Sequence, residues 1–283
     1  MHHVFVYGTL RKYEDNHHLL ENSRLVFEQA SVKGELYDTG YGYPALFIGE
    51  GTVYGEVYEV DDQTLRKLDI LEDFNERDRE NSLYDRTYMT VKTDKEDIKA
   101  LVYYMKKKEH TKYRKINSGD WKEYLYSSRK PESTLYFAYG SCMDTNRFQI
   151  HGVNHHFTNV IGAGKLHKYS LRFTVHADDG GRADIVEDGG EVEGILYELP
   201  YEAVRYLYKR EGVGISLYRP TFVNVEVGGK MYQDCLTFVV VDKKKELAPP
   251  DHYKEEILRG AKGRLSEAYY QKIDHYMNQL PKD

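Results

Sequence analysis

An internal repeat without gaps limits most strictly what this chain can fold into. The stretch VYGEVYEVDDQTLRKLDILED at 53–73 reappears as VEGILYELPYEAVRYLYKREG at 192–212, placing Gly55 on Gly194, Tyr58 on Tyr197, Leu68 on Leu207 and Glu72 on Glu211. Ahead of each block stands a shorter one, Val4-Phe5-Val6-Tyr7-Gly8-Thr9-Leu10 in the first half and Leu135-Tyr136-Phe137-Ala138-Tyr139-Gly140-Ser141-Cys142 in the second. Blocks recurring in one order mark two copies of the same supersecondary unit. A chain of 283 residues is also long enough for a single core to divide. The domains are accordingly set at 1–130 and 134–283, with the polar, proline-containing Lys130-Pro131-Glu132-Ser133 as linker.

Periodicity gives each copy its elements. Val53, Gly55, Val57 and Glu59 alternate with Tyr54, Glu56, Tyr58 and Val60, the pattern of a half-buried strand. From Asp62 to Leu71, and from Glu202 to Lys209, apolar residues recur every three or four positions, which predicts a short helix with Glu72 or Glu211 at or just beyond its end. Tyr84-Asp85-Arg86-Thr87-Tyr88 resembles Tyr218-Arg219-Pro220-Thr221-Phe222, and each opens a strand answered by a second at 98–105 or 231–241. A helix-like stretch covers 121–129, and a helical tail at 251–278, opened by Pro249-Pro250-Asp251, belongs to the second copy alone. Turns as short as Val227-Gly228-Gly229-Lys230 exclude a doubly wound parallel sheet, whose strands need long crossovers. The expected class is α+β: two tandem copies of a small, mixed, mostly antiparallel barrel-like sheet with flanking helices.

Charge and composition remove several function classes. The 40 basic and 46 acidic residues are intermixed, giving a net charge of −6 and no broad positive field for nucleic acid. No apolar run approaches the roughly 18 residues of a membrane span. Met1-His2-His3 leads straight into a strand pattern without the features of a signal peptide, and Cys142 and Cys235 are too few for a disulfide framework, so a cytoplasmic location is expected. Lys106-Lys107-Lys108 and Lys243-Lys244-Lys245 follow strands and read as solvated strand ends. His2-His3, His17-His18 and the group His151, His155, His156 lack flanking ligands in a metal-binding pattern. Gly162-Ala163-Gly164 lacks the rest of a dinucleotide fingerprint, and no nucleophile elbow surrounds Ser141.

Two recurring features remain. A glycine turn bearing Ser or Thr can aim consecutive backbone N–H groups at one point and so bind a carboxylate or a developing oxyanion. The tetrapeptide alone reads first as a β-turn capped by a hydroxyl, and it is the recurrence that points to the nest. A glutamate after a helix end can be a solvated acid, although an anion is poorly placed there electrostatically. It can also be a general base if an apolar cleft raises its pKa.

Together these residues resemble the γ-glutamylcyclotransferase-like superfamily, over nearly the whole chain and twice. VFVYGTLR, Asn16-His17-His18, Tyr43-Pro44-Ala45, Leu68-Asp69 and Glu72 ahead of Tyr84-Asp85-Arg86 are similar to the γ-glutamylamine cyclotransferase branch. LYFAYGSCM, Arg210-Glu211-Gly212-Val213 followed by Tyr218, and the tail APPDHYKEEILRGAKGRLSEAYY resemble γ-glutamylcyclotransferase proper. The resemblance implies a cofactor-free intramolecular reaction, in which the α-amino group of a small γ-glutamyl substrate attacks its own side-chain carbonyl and releases 5-oxoproline with an amine or amino acid. It casts Glu72 and Glu211 as acid/base residues, and Tyr7, Gly8, Thr9, Leu10 and Tyr139, Gly140, Ser141, Cys142 as the substrate-binding turns. Tyr84 and Tyr218 become pocket walls by the same analogy.

The usual fourth turn residue is Asn, whereas this chain has Leu10 and Cys142, which keeps backbone donors but removes an amide side chain. Cys142 lacks a paired His in the sequence and reads as a small, partly buried residue rather than a nucleophile. Contact between the two domains is a further expectation. The competing function is a non-catalytic binding module for glutamyl-like ligands, or one active and one structural copy.

Overall fold

The computed structural model describes residues 1–106 and 112–282 and separates them into two compact units, Met1–Arg129 and Lys130 onward. Lys107 and Lys108 of the first lysine run lie outside the described residues. In the first unit the strands are β1 (His2–Val6), β2 (Arg24–Asp38), β3 (Pro44–Val60), β4 (Tyr84–Thr93), β5 (Ile98–Met105) and the two-residue β6 (Arg114–Lys115), with helices α1 (Asp62–Leu71) and α2 (Trp121–Arg129). The sheet runs β3-β1-β5-β4-β2, and a β2–β3 pairing closes it into a ring, with β6 added along β2. Only β1–β5 is parallel among the ring's pairings.

The second unit repeats this ring. Its strands β7 (Ser133–Ala138), β8 (Val160–His167), β11 (Glu191–Pro200), β12 (Tyr218–Val227) and β13 (Lys230–Val240) close in the order β11-β7-β13-β12-β8, again with one parallel pair, β13–β7. Between β8 and β11 lies a separate hairpin, β9 (Ser170–Ala177) with β10 (Gly180–Val186). The first unit makes the corresponding excursion without a break, by extending β2 and β3, whose pairing runs on from Glu35↔Phe47 to Asp38↔Pro44. A short helix α3 (Thr145–Ile150) follows the first turn, and α4 (Tyr201–Arg210) follows β11 as α1 follows β3.

One sequence expectation needs correction and one gains detail. The β3 segment is buried on both faces: Val53 and Val57 join Phe5, Tyr7, Val102 and Trp121, while Tyr58 and Val60 join Val4, Val6, Leu65, Leu68 and Tyr103. Ring closure covers one face and α1 helps cover the other, so period-two alternation here separates two cores rather than core from solvent. The tail is two helices, α5 (Asp251–Ala261) and α6 (Glu267–Gln279), interrupted where Gly263 takes a left-handed φ of 67°. No helix among the described residues is long and apolar enough to cross a membrane.

Both ring helices end on the recurring acid, but only α1 starts on a side-chain cap, α4 following Pro200 without one. Asp61 caps α1 by accepting the Thr64 N–H at 2.7 Å. Glu72 and Glu211 are the C-terminal caps of α1 and α4, with nearly identical backbone angles of −85°, 6° and −80°, 1°. Their N–H groups bond Leu68 and Leu207 at 2.9 and 2.8 Å. The helix thus delivers one carboxyl to the same end of each ring.

Candidate active sites

In the first unit a cavity of about 190 Å³ opens beside the end of β1. Tyr7, Gly8, Thr9, Leu10, Glu72 and Tyr84 all line it. Sequence reasoning assigned no role to the other main contributors, Asn16, Tyr43, Pro44, Leu71, Leu83 and Tyr103. The turn is held closely. Asn16 donates its side-chain amide to Thr9 Oγ1 and its backbone N–H to Thr9 O, both at 2.9 Å. Tyr7 donates to Tyr103 O and Tyr84 to Pro44 O, again at 2.9 Å. Both phenols therefore serve as rigid wall struts. Gly8 is needed for space, since a Cβ there would stand 2.7 Å from Pro44 Cγ.

Glu72 enters this cavity half-buried, and loss of solvent raises its pKa from the ordinary 4.5 to about 7. Burial, reinforced by the neighbouring Glu72 carboxyl, raises the Tyr7 pKa and holds the phenol neutral. A carboxyl that titrates near neutrality can accept a proton and return it within one turnover.

The second unit gathers Tyr139, Gly140, Ser141, Cys142, Glu211 and Tyr218 around a cavity of about 30 Å³. The struts recur: Tyr139 donates to Phe238 O at 2.7 Å and Tyr218 to Ala183 O at 2.6 Å. Tyr103 therefore matches Phe238, and Pro44 matches Ala183. Space is taken by side chains that the first copy lacks. Arg210, at the position of Leu71, donates through Nε to Cys142 Sγ at 3.2 Å and through an Nη to Ser141 Oγ at 3.0 Å. The Cys142 thiol donates to Glu211 Oε1 at 3.3 Å. Tyr253 from α5 also lines the cavity, and Arg182, in the place of Tyr43, lies 4.9 Å over its ring.

These neighbours change the electrostatics. Burial raises the Glu211 pKa, while the Arg210 charge and the thiol hydrogen bond work against that rise. Burial pushes the Cys142 thiol up to about 11, which keeps it protonated and argues against a nucleophilic cysteine. The second lysine run also departs from its sequence reading. Lys243 is an ion-pair partner rather than a solvated strand end: its Nζ lies 2.6 Å from Asp184 Oδ2, and Asp184 is fully buried next to pocket residue Ala183.

Comparison with known proteins gives the same two-part picture. The family described as "Gamma-glutamyl cyclotransferase, AIG2-like" matches residues 4–123, and the AIG2-like family matches 191–273. YkqA of Bacillus subtilis (strain 168), named for the γ-glutamylcyclotransferases, is 48% identical over 281 residues, covering 99% of this chain and 98% of that protein. The crystal structure of Bacillus subtilis YkqA superposes with a TM-score of 0.90 at 47% identity, over 100% of this chain and 99% of that one. The γ-L-glutamyl-butirosin B γ-glutamyl cyclotransferase of Niallia circulans is 36% identical over 124 residues, which is 44% of this chain and 78% of that protein. The chain therefore belongs to the AIG2-like γ-glutamylcyclotransferase family and carries two of its domains in tandem.

Proposed function

We propose that the first domain cyclises γ-glutamyl donors to 5-oxoproline, with Glu72 as the acid/base and the Gly8-Thr9-Leu10 turn as the oxyanion site. The observation that carries this reading is a carboxyl with a pKa near 7 inside a cavity that the turn also lines. Ionised Glu72 takes a proton from the substrate's α-ammonium, and the freed amine attacks the γ-carbonyl carbon. The oxyanion that forms is met by backbone N–H groups of the turn, each such donor being worth about 3–4 kcal/mol. As the bond to the leaving nitrogen breaks, Glu72 returns its proton there. The remaining extra proton on the ring nitrogen passes to the released amine, so the charge balances. Holding the donor folded supplies much of the rest of the acceleration, because attack is intramolecular.

The same chemistry is proposed for Glu211 in the second domain. Its cavity of about 30 Å³, with Glu211 already engaged by Cys142, favours a second reading for that copy: binding of a glutamyl-like ligand without turnover. Incubation with γ-glutamyl dipeptides and γ-glutamylamines, assayed for 5-oxoproline, tests both. Glu72→Gln is expected to lower first-domain turnover about 10²–10⁴-fold. Unchanged product formation in the Glu72→Gln, Glu211→Gln double variant would overturn the assignment of both acids.

A further inference from the structure

The turn lining the first cavity rests on a buried charge cluster. Arg11 is only 4% exposed, and its Nε donates to Glu56 Oε1 at 3.1 Å while an Nη donates to Asp120 Oδ1 at 2.7 Å. Glu56 Oε2 further accepts the Lys12 N–H at 2.9 Å and the Tyr58 hydroxyl at 3.1 Å. Asp120 accepts the Glu123 N–H at 3.2 Å at the start of α2, and the Arg11 N–H closes back onto Gly8 O at 3.0 Å. One guanidinium thus joins the turn, strand β3 and the start of α2.

Such a cluster is a poor device for stability alone, because two carboxylates and a guanidinium must all lose water. The second domain forms the same ring without it. Met143 stands at the place of Arg11 and Ile195 at that of Glu56. There Arg264, beyond α5, donates to Met143 O at 2.6 Å, and Gly260 lies so close that a Cβ would come within 2.7 Å of the Met143 carbonyl carbon. Asp144, just past Met143, is buried and pairs with Arg259 of α5 at 2.6 Å, so the second copy anchors its turn with different charges and closes the same ring without this cluster.

We propose that Arg11 is a positioning residue whose ion pairs with Glu56 and Asp120 hold Gly8-Thr9-Leu10 in the orientation that receives the oxyanion. This rests on the cyclisation reading above. The test uses the full chain carrying Glu211→Gln as parent, with Arg11→Lys, Arg11→Met, and Arg11→Met combined with Glu56→Ile, the pair found in the second domain. Displacing the turn is expected to lower kcat about 10²-fold in the Met variants. KM should stay within about threefold, because a loss confined to the transition state leaves ground-state binding in place. Arg11→Lys should fold and fall between parent and Met, since an ammonium lacks the fork that meets two carboxylates at once. Adding Glu56→Ile removes one of the two carboxylates that Arg11→Met leaves without the guanidinium and should recover part of the melting temperature lost, while kcat stays low and the acid limb set by Glu72 does not move. Recovery of kcat together with melting temperature, or parental kcat in Arg11→Lys, would overturn the proposal and leave the cyclisation reading intact. A parent that makes no 5-oxoproline would sink both.

Discussion

The two cavities share eight wall positions and differ in the side chains brought up around them. Both place a Tyr-Gly-(Thr/Ser) turn, a cap glutamate and a strut tyrosine around one ring end. Around that set, the first domain offers Tyr43, Leu71 and Leu83 and a cavity of about 190 Å³, whereas the second brings Arg210 and Tyr253 and leaves about 30 Å³. Support for the turn differs too, being a buried ion cluster in one copy and the C-terminal helical region in the other. Features inherent in the ring have been kept, while features borne by the excursion between its second and third strands and by the segments after its last strand have diverged. On the cyclisation proposed above, acid/base chemistry would belong to the positions both copies share, and selection of the leaving group to what is attached to the ring.

The largest break in this comparison should come from the turn glycines. An alanine Cβ at Gly8 would sit 2.7 and 2.8 Å from the rigid Pro44 ring, while at Gly140 it would meet Ala183 Cβ at 3.2 Å. Gly8→Ala must move the turn or the excursion facing it, and is expected to cost about 10²-fold in first-domain kcat. Overpacking should also lower stability by ~1–3 kcal/mol. Gly140→Ala needs a shift of only a few tenths of an ångström, so melting temperature and the rate of any second-domain reaction should change far less. Equal effects at the two sites, read by 5-oxoproline release and thermal melts, would contradict the packing argument.

A second test exchanges the residues preceding the glutamates. Leu71→Arg puts a guanidinium next to Glu72, stabilises its ionised form and should move the acid limb of kcat/KM down from about pH 7 by ~1 pH unit. Arg210→Leu removes the charge that counteracts burial at Glu211, so any second-domain limb should move up. Rate–pH profiles with Glu211→Gln or Glu72→Gln isolating one copy would show these opposite displacements. Two limbs that stay in place would mean that Arg210 does not tune its neighbour.

What the sequence made legible follows from distance along the chain. Four strands of each ring, α1, α4 and both cap glutamates lie in local patterns that recur in one order, so periodicity and alignment suffice to place them; β2 and β8, which complete the rings, carry no repeated block and are not foreseen from it. The surrounding shell is not local. Arg11 meets partners 45 and 109 residues away, and Lys243 meets Asp184 after 59. Glu56 did leave a trace, as a charge on the strand face shared with Tyr54, Tyr58 and Val60, where an unpaired carboxylate would be costly. Tyr43 and Arg182 escaped comparison because the segment between the second and third ring strands is continuous in one copy and a separate hairpin in the other. Tyr253 comes from a helix that has no aligned counterpart in the first block.

The smallest expected effect concerns stability and sharpens the same contrast. Because the folded pKa of Glu72 lies above its ordinary 4.5, the folded protein holds a proton that the unfolded chain releases between pH 4.5 and about 7. Stability must therefore fall as pH rises through that window and level off above it. A tenfold change in proton affinity corresponds to about 1.4 kcal/mol, and the carboxyl's remaining contact with solvent reduces the total to ~2 kcal/mol. Glu72→Gln abolishes the penalty, so its stability relative to parent should be near zero at pH 4.5 and reach ~2 kcal/mol above pH 7 in urea titrations. Glu211→Gln should gain less or lose, because the ionised form it removes is the partner of Arg210 and the acceptor for Cys142. If both variants gain equally at high pH, Arg210 provides no compensation, and the electrostatic difference between the copies disappears.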